Sequence, residues 1–183
     1  MKTFLLLLSI VLAPALLSAQ SSSGYADGFV VTNEGDTIKG QIKHRSGDEI
    51  KDRIYLKISE EEKRNYKTTE IRYFQVGNES FISHEIEGEK VFLMEWQTGY
   101  LELYEEQIAY SQGGQDAFTY QPYIRRAGEQ ELVPVKVGGW KKQILGYISD
   151  YEELAGEVDK NKYKLEQLGD IVKKYNEWKD GNN

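Results

Sequence analysis

The sequence contains no cysteine, only two histidines and three prolines, and no apolar run long enough to cross a bilayer. Without cysteine, the chain forms no disulfide, holds no thiolate zinc or iron–sulfur centre, and offers no thiol nucleophile. Two histidines are too few for a three-histidine metal site. A membrane-spanning helix needs about 20 consecutive apolar residues, and no stretch reaches that length. We therefore expect no metal, no cofactor and no transmembrane segment in the mature chain.

Sequence signatures of catalysis are also missing. The chain has no Gly-x-Ser-x-Gly elbow, no His-Glu-x-x-His pair, no phosphate-binding Gly-x-x-x-x-Gly-Lys and no calcium loop. Ser83, His84 and Glu85 are the residue types of a catalytic triad, but neighbours on a strand point to opposite faces and cannot form one by themselves. We assign no catalytic residue and favour a non-enzymatic protein. A pair of acidic residues acting on glycans stays open, because thirty acids do not single out one pair.

Acidic side chains outnumber basic ones, 30 to 23, which gives a formal net charge of −7. Phosphate backbones repel such a chain, and no Lys/Arg stripe offsets the repulsion. We therefore expect no nucleic-acid partner. Hydrophobic residues make up 39% of the chain, which is enough to build a core.

The first residues are typical of an export signal. Lys2 supplies the positive charge, Phe4 to Leu12 the apolar segment, and Ser18-Ala19 the small residues of a cleavage site. The apolar segment is too short for a membrane anchor. We predict a signal peptide over 1–19 and a flexible lead-in over 20–26. The protein is then exported to the periplasm or the medium, free or associated with the envelope.

The remainder forms one domain in two parts, a β-rich body over 27–137 and a helical tail over 138–183. Turn residues between β-branched and aromatic runs predict three hairpins. Their strands are 29–32 with 37–42, 71–76 with 80–86, and 91–96 with 100–104, and further strands are expected at 53–58, 118–125 and 132–137. We interpret 60–64 as a solvated charge run and 111–116 as a loop. Pro122 and Pro134 should lie on an edge or at a bulge.

Beyond Gly138-Gly139 the apolar period changes from two to about 3.6. The spacing predicts one helix from Trp140, a second that starts at an Asp150 capping box, and a third from 161 or 162. The apolar stripe of the third helix should dock on the β body. The predicted fold class is therefore α+β, with an antiparallel β-sheet or partly closed β-barrel of roughly seven to ten strands followed by C-terminal helices.

Tyrosine accounts for 13 of the 22 aromatic residues. Tyr and Trp rings can stack on sugars or anchor a peptide, so Trp96, Tyr100 and Tyr104 are candidate binding residues for an unknown protein or glycan ligand. Ordinary cross-strand packing of the same rings is the alternative.

Several segments resemble a family of uncharacterised exported bacterial proteins that is commonest in the Bacteroidota. The resemblance lies in the hairpin from Gly28 to Gly40, with its Gly-Asp-Thr-Ile-x-Gly pattern, in 99–104, and in the tail segments 150–154 and 171–176. It implies a signal peptide, a β-rich body and C-terminal helices, and no catalytic residue. Members often carry Cys-Pro after the Asp that begins the tail helix. Tyr151-Glu152 stands here, so no role of that Cys transfers.

Three functional hypotheses follow. We prefer a periplasmic or secreted binding or interaction module. The second is a hydrolase that acts on glycans or envelope polymers through an Asp/Glu pair, and it requires a cleft with two carboxylates beside Trp96 or Tyr100. The third is a structural component associated with the envelope.

Overall fold

The structure is a computed structural model, and it describes residues 24–43, 50, 52–112 and 115–182. The predicted signal peptide, most of the predicted lead-in, and His44 lie outside the described residues. Within this part the chain forms an antiparallel β-sheet followed by C-terminal helices, which confirms the α+β prediction. None of its helices has the length and apolar composition to cross a bilayer.

Ten strands make up the sheet in the described part of the chain. They are β1 (Tyr25–Thr32), β2 (Thr37–Lys43), β3 (Arg53–Lys57), β4 (Lys63–Lys67), β5 (Ile71–Val76), β6 (Glu79–Ile86), β7 (Glu89–Gln97), β8 (Leu101–Gln112), β9 (Gln115–Arg126) and β10 (Val133–Pro134). The helices are α1 (Trp140–Ile148), α2 (Glu152–Asp159), a 3-10 helix (Leu165–Gln167) and α3 (Leu168–Gly181).

The strand order is β10-β9-β8-β7-β6-β5-β1-β2-β3-β4, and every pairing is antiparallel. Neighbours along the chain are neighbours in the sheet, except that β5 returns to pair with the free edge of β1. The order is open, with β4 and β10 at its two ends, so the described strands do not confirm a partly closed barrel. The sheet supplies the surface on which the helices pack.

Turn chemistry explains the hairpins that link these strands. Gly77 has a φ of +56° between β5 and β6, and Glu87-Gly88 has two positive φ values between β6 and β7. Tight two-residue hairpins favour positive φ because their backbone twist then matches the twist of the strands. All three predicted hairpins are present as the antiparallel pairs β1–β2, β5–β6 and β7–β8, with most strands extended by a few residues.

Two apolar clusters fill one face of the sheet. The first lies on β1 to β7 and includes Val30, Ile42, Leu56 and Phe74, all fully buried. The second joins β8 and β9 to the helices. It contains Leu101, Leu103 and Ile124 from the sheet, and Ile144, Ile148, Leu154, Val158, Leu168, Ile171, Val172 and Tyr175 from the helical tail. The predicted docking of the α3 stripe on the β body is thus confirmed.

The structure differs from the sequence prediction in several elements. Strand β1 begins at Tyr25, inside the predicted lead-in, and β4 occupies part of the predicted charge run. Strands β8 and β9 extend to Gln112 and from Gln115, so most of the predicted loop 111–116 is strand. Only two residues of the predicted strand 132–137 pair with β9. A long hairpin can continue through polar residues because hydrogen bonds between its two strands satisfy the backbone N–H and C=O groups.

The start of α2 also differs from prediction, because Asp150 does not cap it. The N-cap residue is Tyr151, and it makes no side-chain capping bond. The Asp150 carboxylate instead accepts a hydrogen bond from the Tyr175 hydroxyl at 3.0 Å and pairs with Lys179 of α3. A tertiary contact between the tail helices has replaced the local cap.

The buried amide of Asn176 attaches α3 to the sheet. Its Oδ1 accepts a hydrogen bond from the Leu101 N–H at 2.8 Å, and its Nδ2 donates to the Leu101 carbonyl at 2.8 Å and to the Thr98 carbonyl at 3.2 Å. Gly99 lies against this amide with a φ of +144°, and a Cβ there would sit 2.7 Å from Nδ2. Glycine at 99 therefore lets the β7–β8 turn approach the helix.

We expect Asn176→Ala to lower the free energy of unfolding by about 2–4 kcal/mol, because it leaves both backbone groups of the fully buried Leu101 without this partner. Urea denaturation measures the loss. Asn65→Ala, at an exposed position on β4, is the matched control and should change stability by less than about 0.5 kcal/mol. Equal effects of the two substitutions would contradict the anchoring role of Asn176.

Candidate functional site

A pocket of about 630 Å³ opens between the sheet and the C-terminal helices. Strands β6 to β9 form its floor, and the 3-10 helix with the first turn of α3 forms its opposite wall. Small-molecule sites in proteins commonly have volumes of about 300–1,000 Å³ and mostly apolar walls. The apolar lining residues are Ile50, Phe81, Phe92, Met94, Trp96, Leu103, Pro122, Leu165 and Leu168.

One cross-strand row of side chains crosses the floor. Phe81 on β6 pairs with Met94 on β7, Met94 pairs with Glu105 on β8, and Glu105 pairs with Pro122 on β9. Directly paired residues point to the same face of a sheet. Glu105 is therefore the one carboxylate in this row, with apolar neighbours on both adjacent strands.

Trp96 reaches the pocket from an irregular position in β7. The register shifts between Glu95, which pairs with Tyr104, and Gln97, which pairs with Leu103, so Trp96 is the extra residue of a β-bulge. Bulges re-aim side chains beside binding sites. The indole N–H interacts with the Glu105 carboxyl group and favours its charged form. Its ring lies against Gly169 of α3, where a Cβ would approach the indole to 3.3 Å.

Burial among apolar neighbours raises the pKa of Glu105 to about 7. Loss of water disfavours the charged carboxylate, and the Trp96 N–H, which favours it, opposes the rise only in part. No salt bridge joins Glu105 to a described Lys, Arg or His. The carboxyl group can therefore gain or lose a proton near neutral pH inside an apolar pocket.

A polar cluster occupies the other face of β7 to β9. Arg125 and Glu102 form an ion pair at 2.6 Å in which both side chains are largely buried, and the Tyr104 hydroxyl bonds to both. Burial raises the pKa of Tyr104 to about 12. Burial and then the Glu102 charge raise the pKa of Glu95, while burial and then Arg125 lower that of His84. Arg125, Glu102 and Tyr104 are thus already bonded to one another.

The three aromatic residues chosen from the sequence occupy different environments. Trp96 is 46% exposed and lines the pocket. Tyr104 also contributes to the lining, but its ring is 2% exposed and its hydroxyl bonds to the polar cluster on the other face. Tyr100, 40% exposed, lies in the β7–β8 turn outside the pocket. Of these three aromatic side chains, only that of Trp96 lies in the pocket.

Sequence reasoning missed Glu105, although a signal for it exists. Leu101 and Leu103 share one face of β8, and the same alternation puts Glu105 next on that apolar face. An acidic residue at a position where the alternation calls for an apolar one breaks the pattern that the strand otherwise follows. The wall made by Leu165, Leu168 and Gly169 could not be found in this way, because only the docking of α3 places it there.

The described part of the chain contains no group of three or more His, Asp or Glu side chains that could hold a metal ion. Ser83, His84 and Glu85 do not converge: the Ser83 hydroxyl donates to the Thr68 carbonyl on one face, and His84 points to the other. The arrangement can enclose an apolar molecule and place the Glu105 carboxyl group against it.

Comparison with known proteins finds no match to a family model, a curated protein or a solved structure. The resemblance to exported Bacteroidota proteins stays a prediction from the segments quoted above.

Glu105→Gln should flatten the pH dependence of stability. An acid whose pKa rises from about 4.5 to about 7 on folding binds more protons folded than unfolded, so its contribution to stability falls as pH rises between these values. Above pH 7 the variant should exceed the parent by about 1–2 kcal/mol. Urea denaturation at pH 5, 6, 7 and 8 measures the difference.

The exposed Glu89→Gln is the control for that series, and it should keep the slope of the parent protein. A Glu105→Gln variant that is parallel to the parent at all four pH values would show that Glu105 ionises as it does in water.

Proposed function

We propose that this protein is a non-enzymatic binding protein that holds a small, mainly apolar molecule between its sheet and its C-terminal helices. The observation that carries the proposal is the pocket of about 630 Å³ with aliphatic and aromatic walls and the Glu105 carboxyl group on its floor. Such a site provides apolar contact area for affinity and a polar group for orientation.

Rigid elements form the walls, which supports binding without a large rearrangement. The floor lies on paired strands β6 to β9, and the opposite wall lies on a helix that Asn176 attaches to β8. Preorganised walls reduce the entropy lost when a ligand binds.

Saturable binding of the neutral fluorescent probe N-phenyl-1-naphthylamine tests the proposal. Met94→Trp and Leu165→Trp each place an indole in the cavity, one from each of the opposite walls. Each should weaken probe affinity at least tenfold because the indole occupies the space that the probe needs. Val137→Trp is the matched control, since Val137 is 78% exposed and lies outside the pocket. It should keep the affinity of the parent.

Thermal melts verify that all three variants are folded. Absence of saturable probe binding to the parent protein would overturn the proposal. So would equal affinities of the parent and both cavity-filling variants.

A hydrolase acting on glycans is the second candidate, favoured by one observation. Glu105, with a pKa of about 7 beside Trp96, has the protonation state that a general acid needs, and Glu79 and Glu166 line the same pocket. Glu79 and Glu105 share a face two strands apart, and the register gives roughly 12 Å between their Cα atoms. Two glutamate side chains can narrow that separation to the spacing of an inverting enzyme.

Turnover of envelope glycans or chromogenic glycosides by the parent, with loss of at least a hundredfold in Glu105→Gln, would favour the hydrolase over the binding protein. Our proposal expects no turnover by either protein. The structural envelope role stays a prediction from the sequence.

We also propose that the chain is exported and that cleavage follows Ala19. The ordered sheet begins at Tyr25, so removal of 1–19 takes away none of the described fold. Mass spectrometry of protein from a bacterial periplasm or medium should find Gln20 as the first residue. Retention of Met1 on exported protein would contradict this.

A further inference from the structure

The charged side chains that line the pocket are acidic in the described part of the chain. Glu79, Glu105 and Glu166 line it, and no Lys, Arg or His does so among the described residues. The carboxyl groups of Glu105 and Glu166 favour a cationic occupant over an anionic one. Glu79 lies on β6 and Glu166 on the 3-10 helix, so they flank the cavity from different elements. The other titratable residues in the described lining are Tyr104 and Tyr120.

Glu105 differs from Glu102, on the opposite face of the same strand, in lacking a basic partner among the described residues. Glu102 lies on the same strand and has Arg125 at 2.6 Å. Glu105 has Met94 and Pro122 as its paired residues, and the Trp96 indole N–H favours its charged form. An indole donates a single N–H, so a carboxylate with two oxygens keeps acceptor capacity inside the cavity.

A carboxylate in apolar surroundings without a cation carries a desolvation cost. A ligand that brings its own positive charge to Glu105 offsets this cost, whereas a ligand carboxylate adds repulsion. The apolar walls around Glu105 then contact the apolar part of the same ligand.

We propose, on the basis of the binding function above, that the ligand is an apolar amine whose protonated nitrogen pairs with Glu105 while its alkyl or aromatic body fills the cavity. Charge complementarity selects this occupant over fatty acids and other apolar anions. The volume of about 630 Å³ suits a single small molecule.

The affinity for such a ligand should depend on pH. An alkylamine stays protonated well above pH 8, so Glu105 is the partner whose charge changes near neutrality. With a free-state pKa of about 7, Glu105 gains a proton below pH 7, and amine affinity should fall up to about tenfold per pH unit there. Above pH 7 the carboxylate is charged and affinity should level off.

Calorimetric titration with decylamine, 1-decanol and decanoate, each below its micellar concentration, tests the inference. Decylamine should bind the parent protein at least tenfold more tightly than decanol, and decanoate should bind most weakly. Glu105→Gln keeps the shape of the side chain and a partner for the Trp96 N–H. It should lose the pH dependence, and its loss of decylamine affinity should exceed any loss of decanol affinity by at least tenfold. The exposed Glu89→Gln should behave as the parent.

The outcomes separate this inference from the proposed function. If decanol and decylamine bind equally, or if Glu105→Gln binds decylamine as the parent does, the amine inference is wrong and the binding function stands. If neither the neutral probe nor any decyl ligand binds, the binding function itself is wrong.

Discussion

The hydrogen bonds between Asn176 and the backbone of Leu101 are the constraint on which the rest of the structure depends. They join residues 75 positions apart and fix α3 over β8. The same helix carries Leu168 and Gly169, which form one wall of the pocket. Because a buried backbone group without a partner is costly, the helix cannot slide along the sheet without breaking these bonds. The amide thus sets the distance between the two walls of the site.

The pocket combines two departures from a regular sheet. A bulge turns Trp96 toward the cavity, and an acid occupies a position in β8 where the strand pattern calls for an apolar residue. Each departure alone lowers stability, since one interrupts the ladder and the other buries a carboxyl group. Natural sequences break local rules mainly at functional sites. Both departures meet in the same pocket, where Trp96 and Glu105 line the floor.

Local patterns were sufficient to predict the hairpins and the helical tail. Turn residues such as Gly77 and the period of the α3 stripe depend only on nearby sequence. The pairing of β5 with β1, the strand within the charged segment 63–67, and the role of Asp150 depend on contacts distant in the chain. The same division holds for the site. The aromatic character of Trp96 was visible in the sequence, whereas the burial of Glu105 required the row of paired strands and the helix above it.

The open strand order leaves two sheet edges, and their composition bears on behaviour at high concentration. Strand β4 reads Lys-Arg-Asn-Tyr-Lys, and β10 has two residues, one of them Pro134. Repulsion between basic side chains discourages one molecule from adding its edge to another, and a short edge with proline offers few donors for such pairing. At high concentration the described edges therefore favour separate molecules over fibrous aggregates, and this protection needs no disulfide.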